Sequence, residues 1–408
     1  MLFNFNLKSS ILLIFFVHGI VFSLLLLKKG VQHQSKESFW LSLFIFLSSL
    51  YIAPFMLGYA GWYSKQPYRD IMFYIPFQQL FLLGPIIFFY VQSLLNKSSQ
   101  LFQKDFIPFV PAIAYFIYTL IVFITDKLVL HQYYFYADER DKDLSTWYQV
   151  AGLFSMMYYV FLSLRYYAIY KKIAFQVVSF AETILFNWVR QYLIALLVIL
   201  SLRVLFFILN PEWDEFGNKF WYYLCFSILF YYISISGYSN AIKTVIPYQA
   251  SSLFNHDSSY LLHEEKGYEM NEIIKELVNE TDAITITDIE IWKQKIEDLM
   301  IVDKAFENPI LTLTDIAEKL ATNPKQISQV VNQGFNMNFN DFVNSYRIEA
   351  VKEMLKNGEH KKQTLLGIAF GCGFNSKSTF NRTFKKQTSL SPKEYINKLE
   401  NTAKDLNK

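Results

Sequence analysis

Cysteine is nearly missing: the 408-residue chain holds two, Cys225 and Cys372. One lies in an apolar run and the other in a polar turn, with no CxxC spacing. Neither a disulfide framework nor a structural zinc site is expected from such a pair. The six histidines are scattered and form no HxxxH-type pair, so a metal centre is not expected either. No phosphate-binding glycine loop and no nucleophile–base grouping stands out, and the chain reads as a non-enzyme without a cofactor. Charge is also thin, at 18% of residues, against 53% apolar and 18% aromatic. That balance is unlike an average soluble domain, and the length predicts more than one domain.

The averages conceal a division. Residues 1–240 hold 17 Lys and Arg and 12 Asp and Glu, spaced between oily runs. Residues 241–305 hold 6 basic and 13 acidic side chains, whereas residues 306–408 hold 15 and 10. An apolar region, an acidic segment and a basic tail therefore follow one another. The sequence is divided here into a transmembrane region at 1–240, an acidic helical linker at 241–305, a DNA-binding domain at 306–400 and a tail at 401–408.

Apolar runs long enough to cross a bilayer recur near residues 10–27, 39–60, 71–95, 106–124, 147–170, 187–209 and 220–240. Seven helical spans are expected, with kinks where Pro76, Pro85, Pro108 and Pro111 fall. The first run has no Ala-x-Ala cleavage pattern before Lys28, so it reads as a membrane helix and not as a signal peptide. An odd count separates the termini. With the tail inside, the loops near 28–38, 96–105 and 171–186 are inside too, an arrangement that the distribution of Lys and Arg supports only slightly. Arg203 lies within the sixth run. A charge there is a candidate membrane-signal residue; the alternative is that it snorkels to the outer interface a turn or two away. His18 in the first run is expected to be a hydrogen-bonded packing residue.

Two helix–turn–helix patterns follow residue 305. In "LTLTDIAEKLATNPKQISQVVNQ", Thr312 or Thr314 can cap a short helix that buries Ile316, Ala317 and Leu320. Asn323 then caps a second helix with Pro324 at its first position. Ile327, Val330 and Val331 form its apolar face, and Lys325, Ser328, Gln329 and Asn332 form the opposite one. The plan repeats about fifty residues on. Thr364 caps a helix burying Leu365, Ile368 and Ala369, Gly373 supplies the positive φ of a tight turn, and Ser376 caps a helix burying Phe380 and Phe384. Its other face shows Lys377, Ser378, Asn381, Arg382 and Lys385. These residue types suit reading base edges in a major groove: Arg for guanine, Asn and Gln for adenine, with Lys on phosphates. One helix from about Asn340 to Lys356 joins the two patterns.

The run "IAFGCGFNSKSTFNRTFKKQTSLSPKEYI" resembles the signature of the AraC/XylS family of bacterial transcription regulators. The matching positions are Ile368, Ala369, Gly373, Phe374, Ser376, Phe380, Arg382, Phe384, Lys385, Pro392 and Tyr395. The resemblance covers about residues 306–398. It implies an all-α tandem helix–turn–helix domain in which Lys325, Ser328, Gln329, Asn332, Lys377, Ser378, Asn381 and Arg382 face double-stranded promoter DNA, with RNA polymerase as a further partner. Where the family often has Gly, this chain has Ala321 and Ser389. Members of the family often carry a soluble sugar-binding domain; this chain is similar to membrane-bound versions.

In the acidic linker, "YEMNEIIKELVNE" and "DIEIWKQKIEDLMIVDKAF" read as amphipathic helices. Ile289, Trp292, Ile296 and Leu299 space the second one's apolar face, which either dimerises the chain or relays a signal, or else packs on the DNA-binding domain as a surface helix. The expected whole is an all-α, seven-span sensor or anchor in a bacterial inner membrane, holding a cytoplasmic reader of promoter DNA. The rival is a membrane receptor whose tail binds a protein partner. Neither the signal ligand nor the target genes can be read from the residues.

Overall fold

Every extended element among the described residues is helical. The computed structural model describes residues 3–95, 107–184, 187–207, 216–243 and 286–406. The chain divides into two compact units, residues 1–167 with 187–262, and residues 168–186 with 263–408. The sequence reading kept 1–240 together. The observed division instead gives residues 168–186 to the unit that holds the polar tail.

In the first unit the helices are α1 (Leu7–Gln32), α2 (Lys36–Tyr59), α3 (Tyr68–Tyr74), α4 (Leu80–Leu95), α5 (Val110–Phe123), most of α6 (Thr146–Val177), α8 (Asn187–Phe207) and α9 (Lys219–Lys243). A short helix, α7 (Ala181–Ile184), belongs to the second unit. Asn6 starts α1 with a capping box to Ser9. Helix α2 is buried along most of its length, with Leu41, Ile45, Tyr51 and Phe55 almost fully enclosed. By contrast, α1 leaves Ile14, Val17, Val21 and Leu24 exposed, and α5 leaves Ile113, Phe116, Ile117 and Leu120 exposed. Helices that are apolar on their outer face as well as their inner one are matched to a non-aqueous surrounding.

Among the described residues, five helices are long and apolar enough to cross a membrane: Leu7–Gln32, Lys36–Tyr59, Ile107–Val129, Trp188–Phe206 and Lys219–Ser239. Leu80–Leu95 is apolar but shorter. The expected third run, 71–95, is not one helix. It stops at Tyr74 and restarts at Leu80, because Pro76 pushes the residue before it out of the α region and Ile75 sits at ψ 115°. The expected kink is thus a full interruption. The expected fifth run lies inside α6, whose 32 residues continue past Lys171 and Lys172.

Polar side chains form a connected interior network in this unit. Arg203 is 4% exposed, which overturns the snorkelling alternative. Its guanidinium donates to Gln149 Oε1 at 2.6 Å and to the Gln149 carbonyl at 2.9 Å. Gln149 donates to Gln78 Oε1 at 2.6 Å, and the Gln78 backbone N–H donates to Asp143 at 3.0 Å. A buried charge is tolerated when its hydrogen bonds are filled in this way. Asp141, which accepts from Tyr63, lies beside Asp143; burial pushes both carboxyls above the usual range, and for Asp141 the charge of Asp143 adds to it. His18 bonds to Ser234 Oγ at 2.6 Å and packs at a tilt against the rings of Phe22 and Tyr231, the packing role expected of it.

The second unit continues with α10 (Ile286–Ile301), α11 (Leu313–Lys319), α12 (Pro324–Gly334), α13 (Phe339–Lys356), α14 (Leu365–Gly371), α15 (Lys377–Thr388) and α16 (Pro392–Leu406). They build two lobes on one shared helix. Phe339, Phe342 and Val343 of α13 enter the first core with Ile316, Val330 and Val331. Ile348, Val351 and Leu355, further along α13, enter the second with Ile368, Phe380 and Phe384. Ile296, Leu299 and Met300 of α10 also fill the first core. The apolar face weighed as a dimerising surface is therefore spent on the chain's own domain. The other linker helix expected, "YEMNEIIKELVNE", lies outside the described residues.

Candidate nucleic-acid interface

Each helix that would approach DNA is started by the side chain that the sequence nominated. Thr312, not Thr314, caps α11, in a capping box with Asp315. Asn323 Oδ1 accepts from the Gln326 N–H at 2.7 Å, and Pro324 opens α12. Thr364 Oγ1 accepts from Gly367 at 3.0 Å, and Ser376 Oγ from Thr379 at 3.1 Å. Ser391 and Glu394 form a reciprocal pair around Pro392, 2.6 and 3.3 Å, which accounts for the closing Ser-Pro-x-x-Tyr pattern.

The two turns share one hydrogen-bond design. In the first, the Thr322 N–H donates to the Ala317 carbonyl at 2.8 Å; in the second, Phe374 donates to Ala369 at 3.1 Å. Both close a Schellman-type helix end around a residue in the left-handed region. That residue is Ala321 at φ 52° in the first turn and Gly373 at φ 88° in the second. A Cβ on Gly373 would stand 2.3 Å from the Phe306 carbonyl oxygen, so glycine is needed there for space as well as for φ. Ser389, the other position without the expected glycine, is also left-handed, at φ 61°.

Buried faces follow the sequence reading. Ile368, Ala369, Phe374, Phe380 and Phe384 are 2% exposed or less. Phe374, Phe380, Phe384 and Tyr395 form a run of edge-on rings with centroids 5.3 to 5.6 Å apart. Gly373 and Pro392 are buried and Ser376 is half-buried. On the opposite face of α15, Lys377, Ser378, Asn381, Arg382 and Lys385 are all exposed. On α12, Lys325, Ser328, Gln329 and Asn332 are only half-buried or half-open. Asn332 Nδ2 donates to Ser328 Oγ at 3.3 Å and to Gln176 Oε1 at 2.9 Å. Arg382 pairs with the Glu182 carboxylate. Lys386, next along α15, is turned away and pairs with Asp341 on α13 at 2.9 Å.

Sequence reasoning missed a polar stripe on α13. Asn340, Asn344 and Arg347 are each about 1% exposed. Arg347 donates to the Phe306 carbonyl at 2.8 Å, the Asn308 carbonyl at 2.7 Å, Asn344 Oδ1 at 3.1 Å and Ser179 Oγ at 3.1 Å. No carboxylate pairs with it among the described residues, and burial lowers its pKa to about 9. Asn340 Nδ2 donates to the Ser179 carbonyl at 2.8 Å. The signal was present: three polar residues at spacings of four and three on an otherwise core-forming helix.

Two capped helices are thus displayed on one rod, the second with a basic, exposed outer face and the first with a mainly amide-bearing, half-buried one. The 18 residues of α13 give a rod of roughly 27 Å. Residues 316–398 match a family described as a helix-turn-helix domain. The chain is 32% identical over 85 residues to the uncharacterized HTH-type transcriptional regulator YijO of Escherichia coli K12, covering 21% of this chain and 29% of that one. It is 28% identical over 85 residues to the melibiose operon regulatory protein of the same organism, 21% of this chain and 27% of that one. An uncharacterized HTH-type regulator of Staphylococcus aureus COL, SACOL0084, is 32% identical over 85 residues, 21% of this chain and 11% of its own. The chain thus spans less than a third of each of these relatives. No solved structure matches. The C-terminal domain is a helix-turn-helix domain of the AraC type.

Proposed function

We propose that this AraC-type domain binds promoter DNA sequence-specifically, with α12 and α15 in adjacent major grooves, and that the apolar unit fixes it to a membrane and senses a signal there. The observation that carries the DNA reading is the exposed face of α15. Lys377, Ser378, Asn381, Arg382 and Lys385 project together from a helix whose N-terminus is capped by Ser376. Arg382 and Asn381 have the donors and acceptors for base edges, and the lysines hold phosphates. The five long apolar helices, with outward-facing Ile, Val, Leu and Phe, support the membrane part. Seven spans remain the reading that sets the two termini on opposite sides. Residues 168–186 share one compact unit with the tail; this supports having that loop and the DNA-binding domain on the same, cytoplasmic side. RNA polymerase is the partner expected at a promoter.

Binding of the purified full chain in lipid nanodiscs to duplex DNA, measured at stepwise potassium chloride, tests the first half. Affinity should fall linearly with salt on logarithmic axes; a flat or absent response would end the DNA reading. A cytoplasm-active reporter fused after Lys408 tests the second half. Activity only from an exported reporter would sink the orientation.

A further inference from the structure

Residues 176–182 run from the last two residues of α6 into the start of α7 and are docked on the helix-turn-helix domain. Their backbone joins it first: the Ser179 N–H donates to the Leu311 carbonyl at 3.0 Å, and Val178 bridges Thr312 in antiparallel fashion. Val178, Ser179 and Phe180 are buried. The polar stripe of α13 grips the same turn, through Asn340 on the Ser179 carbonyl and Arg347 on Ser179 Oγ. From this anchorage the segment reaches both candidate reading helices. Gln176 at one end bonds Asn332 of α12, and Glu182 at the other pairs with Arg382 of α15. Seven residues span at most about 25 Å, so one short segment touches both candidate reading helices.

We infer that residues 176–182 are an internal strap that competes with DNA, Glu182 holding the Arg382 guanidinium where a phosphate or a guanine would otherwise sit. This rests on the DNA-binding reading above. An arginine paired with a carboxylate has its charge neutralised and part of its donor set occupied, and the carboxylate repels the DNA backbone. Release is compatible with a folded domain. Without Ser179, Arg347 keeps the Phe306 and Asn308 carbonyls and Asn344, and Asn340 keeps its bond from Asn344. The strap is covalently continuous with α6 on one side and α8 on the other, so a displacement of either helix is transmitted to it as tension. That gives the apolar helices a mechanical route to the reading face with no linker motion required.

The test uses the full chain in nanodiscs with a fluorescent 30-base-pair duplex of random sequence as probe. Glu182→Gln keeps the shape and removes the charge; Glu359→Gln, which breaks an ion pair with Lys362 elsewhere in the same unit, is the charge-matched control. Glu182→Gln should bind at least about fivefold more tightly than wild type, within the usual range of intramolecular coupling, and Glu359→Gln less than twofold. Amide hydrogen exchange supplies a readout independent of affinity: saturating duplex should speed exchange at Ser179, whose N–H is otherwise held by Leu311. If wild type binds the duplex, Glu182→Gln binds it no better and Ser179 stays protected, the strap is not a competitor and the inference is wrong, while DNA binding stands. If neither protein binds at any salt concentration, the DNA-binding reading fails and takes the inference with it.

Discussion

The two lobes of the helix-turn-helix domain share a plan and differ in how they present it. Both use a short capped helix, a Schellman-type turn and a second capped helix packed on α13. In the second lobe five polar or basic residues of α15 stand clear of the surface. In the first, α12 shows one lysine, Lys325, and its amides are half-buried beside Gln176. On the proposed DNA reading this difference assigns unequal work: long-range attraction and grip would fall to α15, whereas α12 has the weaker field and would add discrimination only at short range. The tandem repeat of fold does not repeat the exposed chemistry.

The largest test asks whether the lobes are separate at all. Phe384→Ala empties the centre of the second core and should cost about 3–5 kcal/mol. Because α13 supplies Phe339, Phe342 and Val343 to one core and Ile348, Val351 and Leu355 to the other, the loss should spread. Hydrogen exchange in the full chain should show the amides of α11 and α12 losing protection with those of α14 and α15. Protection retained in the first lobe would mean that the shared helix does not couple them.

Gly373→Ala sharpens the contrast between the turns. The added methyl meets the Phe306 carbonyl at 2.3 Å with φ at 88°. Left-handed strain of about 1–2 kcal/mol and overpacking of about 1–3 kcal/mol both apply. Chemical denaturation should show a loss of roughly 2–5 kcal/mol. In the first turn Ala321 already has its methyl and the lobe tolerates it, so the two turns are alike in bonding but not in clearance.

How far the residues alone revealed this depends on how local each signal is. Caps and turns are decided within four residues. Asn323, Thr364, Ser376 and Gly373 were therefore legible, as were the apolar faces ending in Phe380 and Phe384. Thr312 and Thr314 were indistinguishable, because both can accept from a following N–H; the choice is made by Asp315 reaching back to Thr312. The broken third run went unseen because hydropathy does not register that Pro76 stops a helix instead of bending it. The burial of Arg203 was not legible for a related reason: its partner Gln149 is 54 positions away. The strap was the least visible feature. Gln176, Ser179 and Glu182 recur every third residue over too short a stretch to signal anything, and their partners lie more than 130 residues further on.

Recognition should divide the lobes more finely. Arg382→Ala should reduce the preference for a selected duplex over a random one by about 1–3 kcal/mol if it reads a base. Taking the ratio of two affinities cancels the release of Glu182, which is common to both. Gln329→Ala on the half-buried α12 should change the same ratio by less than about 1 kcal/mol. Equal losses would erase the proposed division of labour. An Arg382→Ala effect identical for both duplexes would make that side chain a phosphate contact only.

The smallest effect bears on the positions where glycine is missing. Ala321 and Ser389 hold φ at 52° and 61°, where a Cβ costs about 1–2 kcal/mol. Glycine relieves that strain but gains freedom in the unfolded chain, worth about 0.4–1 kcal/mol against it. The net for Ala321→Gly or Ser389→Gly should be a gain of about 0.5–1 kcal/mol, seen as a raised denaturation midpoint with an unchanged slope. Ala321 is the sharper case, since the equivalent turn already uses Gly373. A gain at Ala321 would mean that the first turn keeps its shape through the Thr322–Ala317 bond despite the strain. A loss would mean that the Ala321 methyl makes contacts worth more than the strain it causes, and that the first lobe has adapted its packing to a residue its turn does not favour.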